Sequence, residues 1–477
     1  MARIKTDKNG VAKIDLQNLD IEVNITDFLN TDYRSYVNYV ISNRALPSVI
    51  DGCTVTSRKI MHGAFEGSLK KGELKKLINL AGDVMNLTLY MHGDMSLNGG
   101  IATLCQPFNY LFYPIESDGQ VGSLRDTKAQ ASPRYLTVRL SKYADIWKSD
   151  YDLLEYKHDE GQQIEPTHYL PIIPVILANR QLGLCPGYRF STMSYNPIDI
   201  IEACEKYLKS RSKDKSGILD DFVIHPYIRG IKQKNWYINE NGVWENIGEW
   251  KVNKSSDILD ITDLPYNMEF NKFEKILNKL EDKDIIKSWK NKSEGLNICY
   301  EIQFPKKQLS ILTKNDDEKL INMFKLKYEK PDDLLWVLDE NGKVRHFNTP
   351  QSLIEYFVNY RLSIYDTRKI RLVKIYEDKL SKNTNLITFI ELVCNGKLII
   401  RNRSKVDIKK DMDKVHLPFE LINIPMSKIT KEERNELLKE NKSIKDYLAY
   451  VKKTTTTQMY LNDLKDLKHN IEKDFPI

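Results

Sequence analysis

An arginine beside a tyrosine can open a phosphodiester. The phenol oxygen is the nucleophile, and the guanidinium fork stabilises the oxygens of the pentacovalent phosphorus. Arg134 and Tyr135 stand side by side in "ASPRYLTVRL", after two small residues and a proline and ahead of a strand-like alternation. The chain has 26 tyrosines, and a tyrosine at a strand start usually packs on a core and bonds through its hydroxyl. The pair therefore means something only with its surroundings. "RDTKAQASPRY" sets Arg125 and Lys128 just upstream. "NRALPSVIDG" places Arg44 before a helix-ending proline, and "YMHGD" places His92 at a helix start, where backbone N–H groups favour an anion. All suit a phosphate. Taken singly, Arg44 reads equally as a surface ion pair and His92 as a helix cap. A phenol of pKa about 10 is protonated at neutral pH, so cationic neighbours are what such a nucleophile needs.

The elements that must position these residues follow from composition and pattern. A chain of 477 residues is too long for one core, so two to four domains are expected. The formal charge of +6 permits a basic groove without requiring one. Six scattered cysteines without a Cys-x-x-Cys pair argue against a zinc site or disulfide framework and for a reducing compartment. The start "MARIKTDKNG" lacks an apolar signal core, and "YLPIIPVILA" is too short and proline-broken to span a bilayer. A soluble, cytoplasmic protein without membrane contact is expected. "NGKV" and "NGKL" lack the rest of a P-loop, so ATP is not bound by that route. Asp282/Asp284 and Asp411/Asp413 sit among lysines and read as solvated faces, so no metal site is expected.

Along the chain, residues 1–30 read as an N-terminal arm. Residues 31–145 hold a helix up to Pro47, three short helices and a loop-bearing strand, the order of a winged-helix domain. Residues 146–345 alternate strands and short helices, with Asn-Gly hairpin turns in "NENGVW" and "DENGKV". Residues 346–477 open with a long amphipathic helix, capped by Thr349 and Pro350 and closed by Gly396, on the order of 60 Å at 1.5 Å per residue. A second helix, opened by Thr430-x-x-Glu433, can pair with it antiparallel, leaving a small tip at about residues 390–425. From pattern alone a plain helical bundle fits as well.

In order and approximate spacing, "NRALPSVIDG", "HGDMSLNGGIATLCQPF", "DGQVGSLRDTKAQASPRYLTVRLS" and "YLPIIPVILANRQLGL" resemble the breakage-reunion subunit of type IIA DNA topoisomerases. "ILDITDLPYN", the long helix, "ITKEERNELL" and "TTTTQMYLNDLKDL" extend the likeness over nearly the whole chain. Within the family the chain is most similar to the medium subunit of the split enzyme of tailed phages, in which a separate chain carries the ATPase and toprim functions. No DNA-wrapping tail is expected after the coiled-coil region. The resemblance implies an α+β multidomain fold: a winged-helix domain, an α/β tower domain, and a long antiparallel coiled coil ending in a C-gate dimer region. It implies an ATP-dependent topoisomerase acting on double-stranded DNA as a homodimer, in the host-cell cytoplasm if phage-encoded. Tyr135 would form a 5′-phosphotyrosyl link assisted by Arg134, Arg44 and His92. Arg58, Lys59, Arg125 and Lys128 would bind the DNA backbone, and Leu184 would be an apolar wedge between base steps. Mg²⁺ would be held mainly by the partner's toprim carboxylates, and ATP by the partner. The alternative is a non-catalytic architectural protein that bends DNA. Three positions depart from the family pattern: Thr54 replaces a lysine, Ser57 a histidine or glutamine, and Tyr90 a histidine. Retention of Arg44, His92, Arg134 and Tyr135 argues for an active enzyme. In bacterial members a serine and an acidic residue at the start of the helix after His-Gly-Asp bond the waters of a fluoroquinolone-chelated Mg²⁺. Here those positions are Met95 and Gly99.

Overall fold

The computed structural model describes residues 25–475 apart from 68, 71, 211–216, 254, 295–296, 313–316, 401 and 426–428, with the strand pair Lys5–Thr6 and Ala12–Lys13. Most of the expected arm over 1–30 lies outside the described residues.

A helical run over 25–45 enters the fold, α-helical at Ile25–Phe28 and Arg34–Val40 and π-helical at Leu29–Tyr33 and Ile41–Ala45. It stops where Leu46, ahead of Pro47, turns extended. Helices Val55–Glu66, Leu77–Thr88 and Asp94–Leu104 follow and pack on one another. The first two meet at Gly63, where an added Cβ would fall 2.5 Å from Val84 Cγ2, so only glycine allows this approach. An antiparallel three-stranded sheet of Lys75–Lys76, Thr137–Leu140 and Ile115–Asp118 completes the winged-helix unit. Its wing is the hairpin Val121–Ser123 with Asp126–Gln130.

The apolar core does not break at residue 145. One cluster joins Leu46 through Leu208 with Leu335–Tyr365 and Tyr460–Phe475, and Trp147, at the expected boundary, is 2% exposed within it. The reason is a four-stranded sheet, Leu182–Cys185, Tyr188–Ser191, Leu334–Leu338 and Val344–Phe347, which lies against the winged helix. Leu338 donates its N–H to Pro47 O and accepts from Val49 N, so the segment after Arg44 runs along this sheet. Both Asn-Gly turns close hairpins, with Gly242 and Gly342 at positive φ. A separate lobe has its own core of Leu259, Ile261, Phe273, Tyr300, Ile302 and Phe324, built on the sheet Glu249–Asn253, Ile258–Asp263, Tyr300–Gln303 and Ser288–Asn291.

Helix Pro350–Cys394 has 45 residues, about 68 Å at 1.5 Å each. Thr349 caps it in a reciprocal box with Ser352, and Gly396 follows its end at positive φ. Lys431–Lys453 runs antiparallel beside it. Arg434–Glu391 at 2.6 Å, Lys379–Glu440 at 2.7 Å and Lys452–Glu377 at 2.6 Å mark the register, and the Tyr376 and Tyr447 rings lie 4.6 Å apart. Phe389, Leu398, Ile408, Met412 and Leu417 fill the tip. Thr456–Ile471 then returns along the long helix, stacking Tyr460 on Tyr365 at 4.7 Å and ending with Phe475 among Phe112, Tyr143 and Tyr227. Among the described residues no helix is long and apolar enough to cross a membrane.

Candidate active site

Tyr135 is not on the strand. It ends a 3₁₀ turn, Pro133–Tyr135, opened by the proline whose fixed φ suits a first helical position. The next residue, Leu136, is fully buried and accepts from Leu77 N through its carbonyl, which anchors the turn to the second helix. Leu136, Val138 and Leu140 point inward, leaving the phenol on the outward side. Tyr135 is 73% exposed, and Arg134 beside it is exposed too. A tyrosine held on a pinned turn and 73% exposed is placed to meet a ligand rather than a core.

Arg44 and His92 meet through a residue that the sequence did not single out. Tyr39 lies one helical turn before Arg44, whose guanidinium is 6.0 Å from the Tyr39 ring centre. The Tyr39 hydroxyl is 3.4 Å from His92 Nε2. On its other side His92 meets the Tyr90 ring edge to face at 5.4 Å. Tyr90, standing where a histidine was expected, thus still packs on His92. The signal that could have found Tyr39 is its i−5 spacing from Arg44 in a run whose last turn is π-helical.

Three residues expected to grip DNA are instead engaged by the protein. Arg58 is 4% exposed and forks onto Asp51, Nε to Oδ2 at 2.7 Å and Nη2 to Oδ1 at 3.0 Å. Asp51, fully buried, also accepts from Cys53 N and Tyr169 N, both at 3.0 Å. Burial opposes the charge on Arg58, but Asp51 outweighs it and raises the guanidinium pKa. Spacing carried this information: Arg58, Met61 and His62 share the buried face of one helix. Lys59 donates to Thr88 O at 2.6 Å and Glu165 Oε2 at 2.8 Å. Arg125 is 7% exposed and ties the wing to the separate lobe, donating to Leu264 O at 2.6 Å, Pro265 O at 2.8 Å and Asp263 Oδ1 at 3.2 Å. Burial lowers its pKa to about 10 against the pull of Asp263, so it stays charged at neutral pH. Lys128 remains exposed on the wing.

The departures at Thr54 and Ser57 have a local role. Thr54 caps helix Val55–Glu66, accepting from Ser57 N at 3.2 Å, and the two hydroxyls lie 2.9 Å apart. They line a trough of about 430 Å³ with Thr103, Asn109 and Arg180. Leu184 is 62% exposed on strand Leu182–Cys185, which excludes an ordinary core leucine. Among the described residues no group of three or more His, Cys, Asp or Glu side chains could hold a metal.

The family profile of the DNA gyrase/topoisomerase IV A-subunit covers residues 44–467. The chain belongs to that family. The resemblance read from the sequence is thereby borne out. The mitochondrial DNA topoisomerase 2 of Dictyostelium discoideum is 29% identical over 476 residues, 95% of this chain and 35% of that protein. The DNA topoisomerase medium subunit of Enterobacteria phage T4 is 26% identical over 465 residues, 95% of this chain and 100% of that one. This member of the gyrase/topoisomerase IV family thus spans about a third of the first relative and the full length of the second. A crystal structure of the Plasmodium falciparum topoisomerase II DNA-binding, cleavage and re-ligation domain shares the fold, with a TM-score of 0.78 at 24% identity over 94% of this chain and 65% of that one.

Proposed function

We propose that this chain is the DNA-cleavage and rejoining subunit of a type II DNA topoisomerase, which opens one duplex transiently and passes another through it. The observation that carries the reading is the Tyr135 phenol, 73% exposed on an anchored turn beside an exposed Arg134. In the forward step the Tyr135 Oη attacks a backbone phosphorus, the P–O3′ bond breaks, and the phenol proton is lost as the 3′-oxygen gains one. Arg134 is placed to donate to the phosphoryl oxygens as negative charge builds on them. Reversal restores the strand, because one phosphoester replaces another of similar energy. Arg44 and His92, steadied by Tyr39, would contact the same backbone, Lys128 the flanking phosphates, and Leu184 the base stack.

Type II topoisomerases bind DNA, work as dimers and use Mg²⁺ and ATP. Two copies of this chain, meeting at the coiled-coil tip, would cut the two strands. ATP and the magnesium carboxylates would come from a separate ATPase/toprim chain. The full-length match to a protein named as a medium subunit supports that division of labour. Tyr135→Phe in the complex reconstituted with that partner is the test. Loss of denaturant-trapped covalent protein–DNA complex, with duplex binding retained, is expected. Unchanged relaxation of supercoiled plasmid by the variant would refute the assignment.

A further inference from the structure

One face of the hairpin that carries Leu184 is packed on the protein. Phe190 is fully buried on that side, and a Cβ on Gly183 would fall 2.3 Å from the Ala45 carbonyl oxygen, so the strand lies directly on the backbone that ends the entry helix. Side chains alternate along a strand. The residues on either side of Gly183, Leu182 and Leu184, are therefore thrown to the other face, and they are 64% and 62% exposed. Single exposed leucines are ordinary. Two on the same face of a four-residue strand, fixed by the close contact behind them, form a shaped apolar edge.

The charges around that edge indicate what covers it. Arg189, exposed, stands directly across the hairpin from Leu184. Arg180 precedes Leu182 by two residues, its backbone N–H bound to Asn109 O at 2.9 Å and its guanidinium 5.3 Å from the Tyr266 ring centre. Leu182 itself closes the trough lined by Arg180 and the Thr54, Ser57 and Thr103 hydroxyls. Apolar points set among guanidiniums and hydroxyls fit a nucleic acid, with phosphates on the polar groups and base faces on the leucines.

We propose that Leu182 is a second apolar wedge, acting with Leu184, so that each hairpin opens the bound duplex at two base steps rather than one. The proposal rests on reading the chain as a duplex-binding cleavage subunit. The spacing suits it: side chains two apart on a strand are about 6.8 Å apart, and base pairs rise about 3.4 Å each. Laid along the axis of a still-stacked duplex, the strand would thus set the two leucines against steps separated by two rises. Opening both would bend the duplex more than one wedge does and bring more phosphates to Arg180 and Arg189.

The test uses the full chain and duplexes carrying 2-aminopurine at one or the other of two steps two pairs apart, with end labels to report bending by energy transfer. Wild-type protein should raise the fluorescence at both positions. Leu184→Ala should lose one signal and Leu182→Ala the other. Each should reduce the bend and weaken binding on the order of fivefold, the worth of part of a leucine's burial. Leu182→Met should restore the Leu182 signal, and unchanged thermal unfolding of Leu182→Ala would exclude a folding defect. Retention of both signals and the full bend in Leu182→Ala, while Leu184→Ala loses its own, overturns the proposal alone. Indifference to both substitutions overturns the whole hairpin's wedge role. Covalent trapping through Tyr135 reports separately on the cleavage reading.

Discussion

Removing the guanidinium from Asp51 would leave a fully buried carboxylate with two of its four donors gone. Arg58→Met should therefore destabilise the winged helix by about 3–5 kcal/mol, as losing one partner of a buried pair does, read as a shift of the urea midpoint. A backbone-contacting arginine would instead lose DNA affinity at constant stability. Two histidines make a pH prediction. Burial lowers the pKa of His62 and of His168, whose Nε2 lies 2.7 Å from the Tyr360 hydroxyl. On acidification the unfolded chain takes up these protons first, near pH 6.5. The stabilisation of the neutral imidazoles is thus fully present above that pH and is lost as pH falls below it. Urea midpoints at pH 7.5 and 5.5 should show the drop, and His168→Gln should shrink it, with carboxylate contributions cancelling in the difference. At this scale the exposed Arg134–Tyr135 pair was legible because it needs only neighbours in sequence. The burial of Arg58 was carried by its helical spacing with Met61 and His62, but the engagement of Lys59 and Arg125 was hidden, because their partners Glu165 and Asp263 lie 106 and 138 residues away.

Helix Asp94–Leu104 starts where the sequence puts it, and its first turns bear on drug sensitivity. Met95 is 85% exposed, and a Cβ on Gly99 would meet nothing within 4 Å. A thioether is a weak acceptor and glycine has no side chain, so neither can hold metal-bound water. Wild-type enzyme should be poisoned weakly by fluoroquinolones. Met95→Ser with Gly99→Glu should raise drug-trapped cleavage complexes more than either change alone. Folding should not suffer, since a carboxylate at residue 99 enters open space and glycine costs a helix about 1 kcal/mol. Quinolone trapping of the wild type at the level of the double variant would count against the register. Helices and hairpins were legible from apolar spacing, caps and Asn-Gly turns, all local signals. Pro133 gave a local hint of the 3₁₀ turn under Tyr135, but its anchor, the hydrogen bond from Leu77 N to the carbonyl of the buried Leu136, is tertiary and was hidden.

Across the whole molecule, the long helix is fastened to the body by a charged clamp. Asp150, 6% exposed at its side chain, accepts from the fully buried Arg361 and from Arg368 Nε at 3.2 Å, while Arg368 also reaches Asp463 on the returning helix. Asp150→Ala should cost about 3–5 kcal/mol. Asp152→Ala, which breaks the exposed pair with Arg371, should stay within about 1 kcal/mol. Equal losses in chemical denaturation would show that the clamp is not special. Chain order revealed the helix pair but not the clamp, nor the four-stranded sheet that merges the winged helix with the strands beyond residue 145, since both join residues far apart in sequence. From Arg361 to the helix end at Cys394 is 33 residues, an arm of about 50 Å. A tilt of about one degree at the clamp moves the far end by about 0.9 Å, close to the tolerance of a packed contact. If two copies meet at their tips, as proposed, that meeting is an angular property of Asp150 and its two arginines. The residues that aim the arm need never touch what it reaches.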